Sequence, residues 1–156
     1  MRGGREQTED VPISLVYVIY GDVTNDGSEE ALVVHAMSIR GSGIPYLAYV
    51  YTWKRGSPQL LWSFWAGDRG DGGLRQVYAE DGKLVVDLYG KNRVVNREST
   101  NMEDQIGVCC PQFFTRTRYE WDGSRFRRKG EEVLPNPVGS APLIKPEESG
   151  KSYRAT

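Results

Sequence analysis

Apolar residues recur along this chain with a period of two rather than 3.6, which predicts strands rather than helices. Residues 11–20, VPISLVYVIY, place Ile13, Leu15, Tyr17 and Ile19 on one face and Val16 and Val18 on the other. Apolar groups on both faces are the pattern of a strand covered on both sides. EALVVHAMSI (30–39) is β-branched and apolar, and PYLAYVYTWK (45–54) carries Tyr49, Tyr51 and Trp53 on one face. In QLLWSFWAG (59–67), Leu60, Trp62 and Phe64 alternate with Leu61 and Trp65. LRQVYAE and KLVVDLYG are joined by Asp81-Gly82, a hairpin signal because both residues tolerate positive φ.

The final pair is FFTRTRYEW and RFRRKG, joined by Asp122 to Ser124. Phe113, Thr115, Thr117, Tyr119 and Trp121 share one face, and Phe114, Arg116, Arg118 and Glu120 the other. About eight strands with short Gly-containing turns predict an all-β fold, mainly an antiparallel meander forming a curled sheet, sandwich or barrel. The expected layout is an N-terminal extension over 1–11, one β domain over 12–134 and a flexible tail over 135–156, where prolines are frequent. A long polar connection, 91–111, is expected to carry function or disorder, with a short helical turn between 97 and 108.

Composition narrows the partners. The chain has 156 residues, enough for one domain with a true core, and 20 Lys+Arg against 21 Asp+Glu, for a net charge of −1. That balance supplies no field for nucleic acid or an anionic membrane. No apolar run approaches the roughly 20 residues that span a bilayer, so no transmembrane segment is expected. MRGGREQTEDVP lacks the apolar centre of a secretory signal, which leaves a cytoplasmic protein or a trimmed mature form both open. Cys109 and Cys110 are adjacent and cannot staple distant strands; they read as a reduced or buried pair beside Pro111, with a strained vicinal disulfide as the alternative. Structural zinc would need further ligands, and His35 is the sole histidine. A single strand histidine also gives Ser-His-Asp or Cys-His chemistry no base, so the chain reads as non-enzymatic.

The sharpest chemical feature is GDVTNDGSEEALVV, residues 21–34. Asp22, Thr24 and Asp26 would offer side-chain oxygens to a calcium ion, Ser28 a backbone carbonyl and Glu30 the closing carboxylate, with Gly27 allowing the sharp turn. The competing reading is an acidic turn without metal, since Asp and Asn side chains bond the backbone two residues on. This stretch resembles the calcium loop of FG-GAP and VCBS repeats, D-x-D-x-D-G-x-x-D, with Thr24 at the third position and Glu30 at the last. The resemblance implies a calcium loop between two strands. A closed propeller is not expected, because the repeat does not recur and the chain supplies only about two four-stranded blades. More loosely, GDVTNDGSEEALVV, CCP and RYEWDGSRF together resemble small uncharacterised bacterial secreted proteins of the LppP/LprE lipoprotein type. That resemblance, over residues 15–127, implies an exported, non-enzymatic β domain and hence an extracytoplasmic setting.

Three other features compete for function. Tyr51, Trp53 and Trp62 lead a set of aromatics that would stack on a glycan or on a protein partner, unless they serve as core. Carboxylates such as Asp22, Asp26, Asp68, Asp71 and Asp87 would permit glycosidase-type hydrolysis if two of them met in a cleft near 67–73. Arg116, Arg118, Arg125, Arg127, Arg128 and Lys129 read as a solvated face protecting an edge strand, with phosphate or acidic contacts as the alternative. Arg69 to Asp71 spell RGD, a match too short to argue integrin binding.

Overall fold

A computed structural model describes residues 13–37, 45–67, 73–97 and 111–137. Eight antiparallel strands form two four-stranded meanders, β1-β2-β3-β4 and β5-β6-β7-β8, and neither closes on itself. The first sheet holds β1 (Ile13–Gly21), β2 (Glu30–Met37), β3 (Tyr46–Lys54) and β4 (Ser57–Trp65). The second holds β5 (Leu74–Glu80), β6 (Lys83–Tyr89), β7 (Phe113–Trp121) and β8 (Phe126–Pro135). The described residues contain no helix. This is the all-β meander that the alternation predicted.

Hairpin chemistry sets the register. Asp81 and Gly82 take φ of 51° and 72°, the primed-turn geometry that matches strand twist, and join β5 to β6. Arg55 and Gly56, at 52° and 76°, do the same between β3 and β4. Asp122 caps the β7–β8 turn by accepting the Ser124 and Arg125 N–H groups, each at 2.8 Å. β8 runs on to Pro135, which pairs with Phe113; proline is tolerated there because β8 is an edge strand.

The two sheets share one core, with Leu32, Val34, Val50 and Phe64 facing Leu74, Val77, Leu84 and Val86. β1 lies over β5: the Tyr17 hydroxyl accepts the Val77 N–H, and a Cβ on Gly21 would sit 2.4 Å from that of Ala79. β4 lies over β7 and β8 through Trp62, whose ring centre is 5.0 Å from Tyr119 and 5.4 Å from Phe126. The strand orders therefore run in the same sense through both sheets.

Two β-bulges correct the expected faces. Leu15 pairs with His35 but Tyr17 with Val34, so Val16 is the extra residue and the face flips. Ile13 and Leu15 thus point away from the core, while Tyr17 and Ile19 point into it, instead of all four lying together. On β4, Tyr51 pairs with Leu60 and Val50 with Trp62, so Leu61 is extra; Leu60 turns outward and Trp62 inward. The β7 alternation holds as read, with Thr115, Thr117 and Tyr119 inside and Arg116 and Arg118 outside.

The outer face of the second sheet is polar and tightly knit. Asp87, fully buried, accepts Arg116 Nε at 2.9 Å and Nη2 at 3.0 Å, Arg75 at 3.1 Å and Gln76 at 2.8 Å. The guanidinium of Arg75 lies 4.2 Å over the Phe114 ring, and the long side chains of this face cover Phe114 and Val85 beneath them. The start of the long connection is pinned to both sheets. Asn96 exchanges hydrogen bonds with the Trp65 backbone, Arg93 N–H donates to the Thr115 hydroxyl, and Val95 enters the core.

Candidate functional site

The β1–β2 connection brings the expected acidic residues together. Asp22, Asp26 and Glu30 each place a carboxylate oxygen within 4.8 Å of the other two. The loop is shaped by Asp22. Its Oδ1 accepts the N–H groups of Thr24 (3.2 Å), Asn25 (2.8 Å) and Asp26 (3.3 Å), and Oδ2 accepts that of Gly27 at 2.9 Å. Asn25 and Gly27 take φ of 62° and 85°, the left-handed conformations that wrap the backbone around this carboxylate. Burial pushes the Asp22 carboxyl up, but these four N–H bonds outweigh it and hold it below the ordinary range. Asp26 stands exposed, with Oδ1 accepting the Ser28 N–H at 2.8 Å.

Glu30 is the unusual member. It opens β2 and is 0% exposed, yet no cationic side chain pairs with it among the described residues. Its Oε2 accepts the Val23 N–H at 2.9 Å; its Oε1 accepts the Thr24 hydroxyl at 3.2 Å and, at the longer distance of 3.5 Å, that of Thr52. Burial raises its pKa, the Val23 and Thr24 bonds oppose that, and the negative charges of Asp26 and Asp22 push it up further. Thr24 therefore sits inside the cluster with its hydroxyl directed at Glu30. Ser28 is exposed and engages the cluster through its N–H.

The donor set suits a hard cation. Calcium–oxygen bonds run about 2.3–2.6 Å, so two ligands on opposite sides of one ion stand roughly 5 Å apart. The observed 4.8 Å limit lies inside that span. Asp22 Oδ2 and Asp26 Oδ2 keep lone pairs beyond the bonds described above, as does Glu30. All the donors are oxygen, which excludes a thiolate–imidazole zinc site of the usual kind.

The loop also sits where the sheets meet. Val23 is fully buried in the shared core, and Asn25 packs on the β5–β6 turn, where a Cβ on Gly82 would fall 2.3 Å from Asn25 Oδ1. Ordering this loop thus ties one sheet to the other.

The expected aromatic site divides. Tyr51 and Trp53 share the outer face of the first sheet; Tyr49 and Tyr51 stack at 6.3 Å and 20°, and Trp53 is 67% exposed. Trp62 instead packs between the sheets against Phe64, Tyr119 and Phe126. His35 stands edge-on to Tyr49 on the outer face, five residues along β2 from Glu30 and so well over 10 Å from the carboxylates. Asp87 is fully buried beneath its arginines, so neither carboxylate oxygen is open to a substrate. Asp68, Asp71, the RGD triplet and the Cys109–Cys110 pair lie outside the described residues.

Sequence reasoning missed Thr52, which closes over Glu30 from β3, and the Asn25–Gly82 contact between the sheets. Glycine inside an Asp-Gly turn signals only a hairpin, so nothing local marked Gly82 as a docking point. Comparison with known proteins returns no family model that matches this chain and no matching curated protein.

Proposed function

We propose that this chain is a non-enzymatic β-sheet binding module whose β1–β2 loop takes one calcium ion, clamping the two sheets at that end. The observation that carries the reading is the meeting of three carboxylates within 4.8 Å, one of them fully buried with no cationic partner among the described residues. Like charges so placed repel, and a divalent cation converts that repulsion into attraction. Asp22, Asp26 and Glu30 would hold the ion, with the Thr24 hydroxyl and the Ser28 carbonyl completing the shell.

The resemblance to FG-GAP and VCBS loops supports this reading, since the loop joins neighbouring strands of a four-stranded meander. Three carboxylates with uncharged oxygens match the weak calcium sites of extracellular modules, with dissociation constants of about 10⁻⁴–10⁻³ M. An extracytoplasmic setting supplies calcium at that level, in line with the looser lipoprotein resemblance. A glycan platform, the second reading, rests on Tyr51 and Trp53. The polar groups beside those rings that would hold sugar hydroxyls are few, chiefly Ser63, His35 and the tyrosine hydroxyls.

Thermal unfolding in chelator and in millimolar calcium tests the reading, for the wild type and Asp26→Asn. Asp26 is exposed, so its replacement leaves the fold intact. A rise of several degrees with calcium in the wild type, absent in the variant, is expected. No rise in the wild type refutes it and leaves an acidic turn closed by Asp22.

A further inference from the structure

The two outer faces of this molecule differ in kind. On the second sheet the outward positions include Arg75, Arg116, Arg118, Asp87 and Glu132, bound into a charged lattice. On the first sheet, the register places Leu15, Val18 and Tyr20 of β1 beside His35, Val33 and Ala31 of β2, and the outward positions of β3 and β4 continue the surface. None of the outward strand positions on this sheet is Asp, Glu, Lys or Arg. In a chain that is 26% charged, a whole sheet face without one charge requires an explanation.

The face is also large and exposed. Ile13, Leu15, Tyr20, Trp53 and Leu60 stand 41–67% exposed. Side chains of this size present on the order of 500 Å² together at such exposure. The half-buried Tyr49, Tyr51 and Trp65 around them extend the patch toward the roughly 800 Å² that each partner contributes to a standard interface. Isolated apolar side chains on a surface mean little, but a contiguous patch of this extent marks a contact surface.

We propose that this face is the contact between two copies of the chain, sheet against sheet about a two-fold axis. Three observations select that occupant. A two-fold contact sets each residue near the axis against its own counterpart, and only an uncharged face does so without like-charge repulsion. The alternative stacking, first sheet on the second sheet of the next copy, would set the aliphatic Leu15 and Leu60 against the arginine lattice and strip water from its charges without supplying partners, and is disfavoured by that desolvation. Lateral growth is impeded at all four sheet edges, by the bulge at Val16 in β1, Pro58 in β4, the bulge at Arg75 in β5 and Pro135 in β8. Face-to-face packing of two such sheets needs no change in either, since twisted sheets pack aligned at about 10 Å.

Sedimentation of the full chain over a wide concentration range reads the proposal directly. The expected result is a reversible equilibrium between the 17.6 kDa monomer and twice that mass. It should be insensitive to salt, because no charge lies in the contact. Trp53→Arg and Leu60→Arg should each weaken the dimer by about thirtyfold or more while leaving the circular dichroism unchanged, both residues being exposed. Val133→Arg, on the second sheet and 39% exposed, should leave it dimeric. A wild type that stays monomeric at every concentration overturns the proposal, even if Trp53 then binds a soluble glycan. So does a dimer that dissolves in high salt, or one that Val133→Arg breaks and Trp53→Arg does not.

Discussion

Replacing Asp87 by asparagine probes the stiffest polar element of the fold. The carboxylate is 0% exposed and accepts four hydrogen bonds at 2.8–3.1 Å from Arg75, Arg116 and Gln76. The substitution removes the buried negative charge while keeping the volume. It also turns an amide NH₂ toward guanidinium donors, so at least one of the four bonds is lost to a donor–donor encounter. Breaking a buried ion pair from one side costs about 3–5 kcal/mol. Both arginine side chains are about one-fifth exposed and regain water when released, which places the loss near the lower end of that range. For a chain of this length the melting temperature should fall by roughly 10 °C. The urea midpoint, followed by tryptophan fluorescence, should fall by about 1–2 M at an unchanged slope. A triple variant, Asp87→Leu with Arg75→Leu and Arg116→Met, should recover most of the loss, because an apolar replacement leaves no unpaired charge. A loss below about 1 kcal/mol for Asp87→Asn would refute the reasoning, since it would mean that the network behaves like an exposed pair.

Other consequences are equally direct. Gly82→Ala should destabilise by about 1–3 kcal/mol, because φ is +72° and the new Cβ would meet Asn25 at 2.3 Å. Gly123→Ala, at +98° with open space around it, carries only the backbone strain, and comparing the two urea midpoints isolates the contact. Trp62→Ala should cost about 3–5 kcal/mol through lost packing on Tyr119 and Phe126. Trp53→Ala, being exposed, should change the same midpoint little. Hydrogen bonds from Arg127, from the Arg125 and Ser124 N–H groups and from the Ser124 hydroxyl hold the Asp122 carboxyl far below its ordinary range. In acid the unfolded chain takes up that proton before the folded one does. The contribution of this turn is therefore complete above about pH 4 and is lost as the pH falls below it. Asp122→Asn should flatten that acid loss in urea midpoints measured from pH 5 to pH 2.

Much of the architecture was legible in the sequence, and the failures share a physical cause. Asp81-Gly82 and the Asp122 turn dictated their hairpins because few residue pairs satisfy positive φ or cap a turn so cheaply. The β7 alternation gave its two faces without error. β1 and β4 were misphased, and in both a single extra residue, Val16 or Leu61, reversed everything beyond it. Around each bulge the residues of both faces are large and apolar, so a one-residue shift exchanges one apolar set for another and the sequence carries little sign of it. This is also why Leu60 and Trp62 looked like neighbours on one face, when one belongs to the outer surface and the other to the core.

The site was legible for the same reason that it is compact. Asp22, Thr24, Asp26 and Glu30 lie within nine residues, so loop geometry alone brings them together. What the spacing did not reveal is that Glu30 is buried, because burial comes from β3 and from Val23 entering the shared core. The contact of Asn25 with Gly82 likewise requires the second sheet. Long-range packing thus turns an acidic turn into a joint between sheets, and the uncharged outer face emerges only once four strands are aligned in register.

The most direct test of the proposed metal loop is a calorimetric titration of calcium into the chelator-treated wild type and Asp26→Asn. The account predicts one site per chain in the wild type, with a dissociation constant of about 10⁻⁴–10⁻³ M, and no saturable binding in the variant. Equal heats in the two proteins, or none in either at millimolar calcium, would contradict it.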